Sequence, residues 1–312
     1  MPDPTPVAVT SRSFSRHPVL RAEIEQRYSD VRFNDAGLSL SGDRLIAFLS
    51  GRRKAITALE QIDDELLGAL PDLEVISKVG VGIDMLDLDA MRRHDVRLGW
   101  ARGTNARSVA ELVIALTLAL LRHIPALHEA VRGGAWEQRK GMLLSDRTVG
   151  IVGYGAVGRE VARLLTGFGC PILINDIVAQ ADLPPHARQV PLDELLERSE
   201  VVTLHLGSSA TTHNIIDAAA LKRMRTESVL VNTARGDLID EEALYESLAA
   251  GSIGGAALDV FASEPPSASA LLELSNVVLT PHIGGSSEEA ILAMGRAAIA
   301  GLETAVPIDE LK

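Results

Sequence analysis

The segment Thr148–Gly158, TVGIVGYGAVG, constrains this chain more than any other stretch. The β-formers Val149, Ile151 and Val152 break into Gly153-Tyr154-Gly155-Ala156-Val157-Gly158. A helical pattern then follows, with Val161, Leu164 and Leu165 on one face. Gly153 permits a tight turn, Gly155 lets backbone approach a pyrophosphate, and Gly158 lets helix pack on strand. Phosphates would meet free N–H groups at the helix N-terminus, where the dipole favours negative charge. A glycine-rich turn alone is weak; its surroundings give it meaning. A second apolar run, Ile172–Ile174, leads to Asp176, 23 positions after Gly153, where a carboxylate would accept from a ribose 2′-hydroxyl. No Arg or Lys follows closely to receive a 2′-phosphate, so the pattern predicts NAD rather than NADP.

From Thr148 onward, strand-like runs alternate with helical patterns. The runs are Val201–Leu204, Ser228–Asn232, Ala256–Val260 and Val277–Thr280, and the helices include Ala218–Met224 and Glu241–Ala250. This alternation predicts an α/β fold with a parallel, doubly wound sheet. The first hundred residues show a smaller alternation, with strands at Val7–Thr10, Leu45–Leu49 and Leu73–Ser77 and a helix near Asp63–Leu70. A long helix from about Ser108 to His123 is apolar nearly all round, which predicts burial. At 312 residues the chain has room for two such Rossmann-like domains with a cleft between them.

A formal net charge of −12 argues against nucleic acid or an anionic membrane surface as partners. The one cysteine, Cys170, allows no internal disulfide and suggests no metal cluster, in keeping with a reducing cytoplasm. The N-terminus lacks a signal-peptide pattern, and the longest apolar stretch, Leu112–Leu121, is too short to span a bilayer. The expectation is a cytoplasmic protein.

Three strands of the second half end in chemically loaded loops: Thr233-Ala234-Arg235-Gly236-Asp237, Phe261-Ala262-Ser263-Glu264-Pro265-Pro266 and Pro281-His282-Ile283-Gly284-Gly285. In an open parallel sheet, ligands bind beyond the carboxyl ends of strands, so these loops would converge on the glycine turn. Arg235 can hold a carboxylate and polarise a carbonyl. His282 can exchange a hydroxyl proton, and Glu264 paired with it favours the imidazolium. Taken singly, the three also fit a surface ion pair, a solvated turn and a capping histidine. Together and in this order, they suit hydride transfer at a carbon bearing hydroxyl and carboxylate.

With these pieces the chain resembles the D-isomer-specific 2-hydroxyacid dehydrogenase family. The matching segments are GYGAVG at 153–158, NTARGDLID at 232–240, ALDVFASEPP at 257–266 and TPHIGG at 280–285. RGTNARSVAE at 102–111 and SKVGVGIDMLDL at 77–88 complete the set. The resemblance implies that Arg235, Glu264 and His282 are the catalytic arginine, the supporting glutamate and the acid/base histidine. It implies that Asp259 holds the nicotinamide carboxamide, with His205, Thr233, Ala234 and Gly284 completing the cofactor set. Backbone at Val79-Gly80 would bind the substrate carboxylate. Residues 1–101 with 288–312 would form the substrate domain and 102–287 the NAD domain, with a homodimer through the latter.

There are departures: Gly207 stands where the family carries proline, Ser209 where it carries threonine, and Met85 where asparagine is common. His205 and His213 read as loop packing rather than as chemistry. The overall likeness is greatest to 3-phosphoglycerate dehydrogenase-like members without regulatory domains. Lys78 and Arg52 are the candidates to contact a second anionic group on the substrate, and Arg53 reads as a solvated cation. Three alternatives stand open: a glyoxylate or hydroxypyruvate reductase, an NAD-sensing binding protein of the same family, and an oxidiser of formate or phosphite.

Overall fold

Short apolar runs flanked by turn residues pair side by side here, and each sheet is covered on both faces, as all-parallel sheets require. The structure, a computed structural model, describes residues 1–267 and 269–311. It divides into two units, Met1–Asn105 with the stretch from Gly285 onward, and Ala106–Gly284.

In the first unit, β1 (Val7–Val9), β2 (Val31–Phe33), β3 (Lys54–Thr57), β4 (Val75–Lys78) and β5 (Arg97–Gly99) form a parallel sheet in the order β2-β1-β3-β4-β5. Alternate strand residues feed opposite cores. Ala8, Ala55, Ile76 and Leu98 face one side with Leu45 and Leu49. Val7, Val9, Ile56 and Val75 face the other with Phe14, Leu20 and Met294. Met294 belongs to the helix Glu288–Thr304, which Ser287 caps through a bond from Ala290 N at 3.2 Å.

The structure corrects one expected strand. Leu45–Leu49 lies in the helix Gly42–Leu49, whose buried Leu45 and Leu49 stand four apart on one face. A five-residue apolar run does not reveal its period, and Asp43 in the first turn was the overlooked start signal.

In the second unit, β6 (Val149–Val152), β7 (Ile172–Asn175), β8 (Ala187–Gln189), β9 (Val201–Leu204), β10 (Val229–Asn232), β11 (Gly255–Leu258) and β12 (Val277–Leu279) form a parallel sheet. Its order is β12-β11-β10-β9-β6-β7-β8. The chain is thus α/β throughout. Ile151, Ile174, Val201 and Val231 pack against the helices Ala106–Leu121 and Ala156–Leu165. Val152, Leu204, Leu230 and Leu258 pack on the opposite face with Leu195, Leu221 and Leu244. The reversal of order at β6 and β9 is where such sheets open a crevice for ligands. Among the described residues no single helix is long and apolar enough to cross a membrane.

Candidate active site

All strands of the second sheet run the same way, so the loops after β6, β7, β9, β10, β11 and β12 lie along one edge. At β6 the chain turns at Gly153, whose φ of +93° suits glycine, and a Cβ there would come within 2.5 Å of His205 O. A Cβ on Gly158 would lie 2.1 Å from Gly153 O, so helix and strand touch through backbone. Gly155 caps the helix Ala156–Leu165, and a Cβ there would meet nothing within 4 Å. That open face beside the first-turn residues Ala156 and Val157 fits a pyrophosphate approaching the helix N-terminus. Tyr154 N donates to Asp176 Oδ2 at 2.7 Å and Val178 N to Oδ1 at 2.8 Å, so Asp176 holds the turn from the end of β7.

His205 follows β9. Its Nε2 lies 3.0 Å from Thr203 Oγ1, and burial pushes its imidazole down to about 3, which keeps the ring neutral. Beyond it, a Cβ on Gly207 would meet nothing within 4 Å. The loop is anchored one residue later, where Ser208 Oγ donates to Asp237 Oδ2 at 2.5 Å and Asn214 N to Asp237 O at 2.8 Å. Thr233 is buried, and its hydroxyl has no hydrogen-bond partner among the described residues, which suits a ligand or ordered water.

Buried Asn232 shapes the Arg235 turn. Its side chain accepts from Ala234 N at 3.0 Å and donates to Arg235 O at 2.7 Å, while Arg235 Nη1 reaches Ala234 O at 2.7 Å. Gly236 then stacks directly on the turn after β11, since a Cβ would fall 1.9 Å from Phe261 C. Phe261 N donates to Glu264 Oε1 at 3.2 Å, and Glu264 Oε2 meets His282 Nδ1 at 2.8 Å. Among the described residues nothing hydrogen-bonds His282 Nε2, and the ring is half-exposed. The turns bearing Arg235, Glu264 and His282 are therefore linked through Phe261 and the Glu264–His282 bond.

Asp259 ties the His282 loop to the end of β11. It is fully buried, and its carboxylate accepts from Thr280 Oγ1 at 2.6 Å, Ile283 N at 2.8 Å and Gly284 N at 2.8 Å. Its carbonyl accepts from His282 N at 2.9 Å. Asp259 thus builds the left-handed turn at His282 (φ +54°). Asn232 and Thr280 stand inside the motif segments, but neither carries a chemical signature of its own. Their work is internal hydrogen bonding, which spacing does not reveal.

In the first unit, Lys78 ends β4, and its buried ammonium donates to Ala58 O and to Val79 O, the latter at 3.1 Å. Val79 N is committed to Thr57 O at 2.8 Å, so it is not the carboxylate donor expected of it; Gly80, at φ +103°, is the first residue past that bond. Arg52 is also corrected. It precedes β3, about 16 Å along the sheet from the carboxyl edge, and pairs with Asp30 at 2.6 Å. Reading Leu45–Leu49 as a strand had put Arg52 at the wrong edge.

Residues 114–284 match the family model described as D-isomer specific 2-hydroxyacid dehydrogenase, NAD binding domain. A hydroxypyruvate reductase from Thermotoga maritima is 37% identical over 246 residues, 77% of this chain and 80% of that one. A D-3-phosphoglycerate dehydrogenase from Archaeoglobus fulgidus is 38% identical over 240 residues, 75% of this chain but only 46% of that protein. A solved structure assigned to the D-isomer specific 2-hydroxyacid dehydrogenases, from Polaromonas sp. JS6 66, superposes with a TM-score of 0.89. It is 29% identical, covering 97% of this chain and 98% of that one.

Proposed function

Because this chain belongs to the D-isomer specific 2-hydroxyacid dehydrogenase family, whose nucleotide is NAD, we propose that it reduces short 2-keto acids such as glyoxylate or hydroxypyruvate to 2-hydroxy acids, of D configuration where C2 is chiral. The carrying observation is the 2.8 Å Glu264–His282 pair, linked through the Phe261 turn to Arg235.

The residues suit these tasks in turn. Bound NADH supplies the hydride for C2. His282, held at Nδ1 by Glu264, gives the proton on Nε2 to the carbonyl oxygen, which becomes the hydroxyl. The Glu264 carboxylate balances the charge of the imidazolium that donates it. Arg235 offers its planar fork to the substrate carboxylate and steadies the carbonyl. In the first unit, taken by itself, the turn at Gly80 offers backbone suited to a carboxylate. Asp176 is the ribose acceptor, while Thr233, Ala234 and Gly284 line the nicotinamide side.

Both cations considered for a second anion have other work: Arg52 pairs with Asp30, and Lys78 donates to backbone carbonyls. That favours an unphosphorylated acid, as acted on by the hydroxypyruvate reductase relative. The 38% identity to D-3-phosphoglycerate dehydrogenases supports the phosphorylated acid as second reading. Loss of NADH absorbance across glyoxylate, hydroxypyruvate and 3-phosphohydroxypyruvate separates them. The expected result is a higher kcat/KM for the short acids; a preference for the phosphorylated one would overturn the assignment.

We also propose a homodimer through the second unit. None of the residues in the helix Ile124–Arg132 is buried, and Ile124, Val131, Trp136 and Leu143 are exposed nearby. Large exposed apolar side chains this close together in the chain are what an association face needs.

A further inference from the structure

Ala58 and Val79 are the first residues beyond the carboxyl ends of β3 and β4, and hydrogen bonds fix both. Ala58 N donates to Glu60 Oε2 at 2.6 Å, and Ala58 O accepts from Lys78 Nζ. Val79 N donates to Thr57 O at 2.8 Å, and Val79 O accepts from the same Nζ at 3.1 Å. Lys78 is only 3% exposed, so this ammonium has exchanged water for protein carbonyls. Charge-assisted bonds of that kind are roughly twice as strong as neutral ones. Gly80 comes next in a left-handed conformation, where a Cβ would lie 3.8 Å from Nζ, so the ammonium sits directly under this turn.

We propose that Lys78 is a positioning residue that ties the loop after β3 to the loop after β4 and so sets where the Gly80 backbone meets a substrate carboxylate. The inference rests on the proposed reduction of 2-keto acids and deepens it. Every such acid carries the same carboxylate, so the effect of Lys78 is common to all of them. A lysine that bound a distal phosphate would instead discriminate among them. Glu60 gives a second handle of opposite charge, because it fixes Ala58 from the other side. Were simple attraction of anions at work, removing Glu60 would tighten substrate binding. Loop positioning predicts the reverse.

The test is steady-state NADH oxidation at saturating NADH, with the full-length wild type, Lys78→Met and Glu60→Ala against glyoxylate, hydroxypyruvate and 3-phosphohydroxypyruvate. Loss of the charge-assisted bonds should raise KM roughly tenfold or more in Lys78→Met, by the same factor for each acid. Glu60→Ala should raise KM too, and NADH affinity should stay unchanged in both. A rise confined to the phosphorylated acid, an unchanged KM in Lys78→Met, or a lowered KM in Glu60→Ala would each overturn the proposal. If Lys78→Met does not fold, the more accessible Glu60→Ala decides by the sign of its KM change, and no change overturns it. A wild type inert toward all three acids would overturn the functional reading along with this one.

Discussion

A histidine that hands a proton to a substrate from one ring nitrogen needs the other held, and Glu264 holds His282 Nδ1 at 2.8 Å. Replacing His282 with Ala removes the proton donor, so kcat should fall by about 10²–10⁴ while NADH binding stays near normal. Glu264→Gln keeps the shape and drops the charge, and it should lose less of kcat than His282→Ala. Steady-state kinetics with NADH titrations check both; a His282→Ala enzyme retaining most of its kcat would refute the role. These residues were legible in sequence because each follows a strand end in a distinctive segment. The residues that aim them were less so. Asn232 closes on both Ala234 N and Arg235 O, and Asp259 takes three donors from the His282 loop. Which polar groups a buried side chain satisfies is set by three-dimensional proximity, and spacing along the chain does not carry it.

Six strands of the second sheet were readable because each is a short apolar run bounded by turn residues, whereas β8, Ala-Arg-Gln at the sheet edge, carries no such run. The turn from β6 and the acid after β7 act as one element, since Asp176, the proposed ribose partner, accepts from Tyr154 N and Val178 N. Asp176→Ala should therefore weaken NADH binding and narrow the preference for NADH over NADPH. Comparison of kcat/KM for the two nucleotides checks this, and a wild type equally good with NADPH would contradict it. In the first unit the strands are shorter, and β2, β3 and β5 escaped notice. The run Leu45–Leu49 shows the physical reason, because five apolar residues satisfy a buried strand and a short helix equally well. That one misreading carried Arg52 to the wrong edge of its sheet.

Over the whole molecule, two parallel sheets repeat one architecture with different loops. The second unit carries Arg235, Glu264 and His282, and the first carries the turn at Lys78–Gly80. Trp136, 85% exposed, stands out on the surface proposed for self-association. Trp136→Asp should shift the protein from dimer toward monomer in light scattering at equal concentration. A wild type that is already monomeric would remove the dimer. The proposed chemistry is direct hydride delivery to C2 of a keto acid, and isotope transfer reads that most directly. With NADH deuterated at both C4 positions and glyoxylate or hydroxypyruvate as acceptor, mass spectrometry should find one deuterium on C2 of the hydroxy acid formed. A 2-hydroxy acid without that deuterium, or no hydroxy acid at all, would contradict the account.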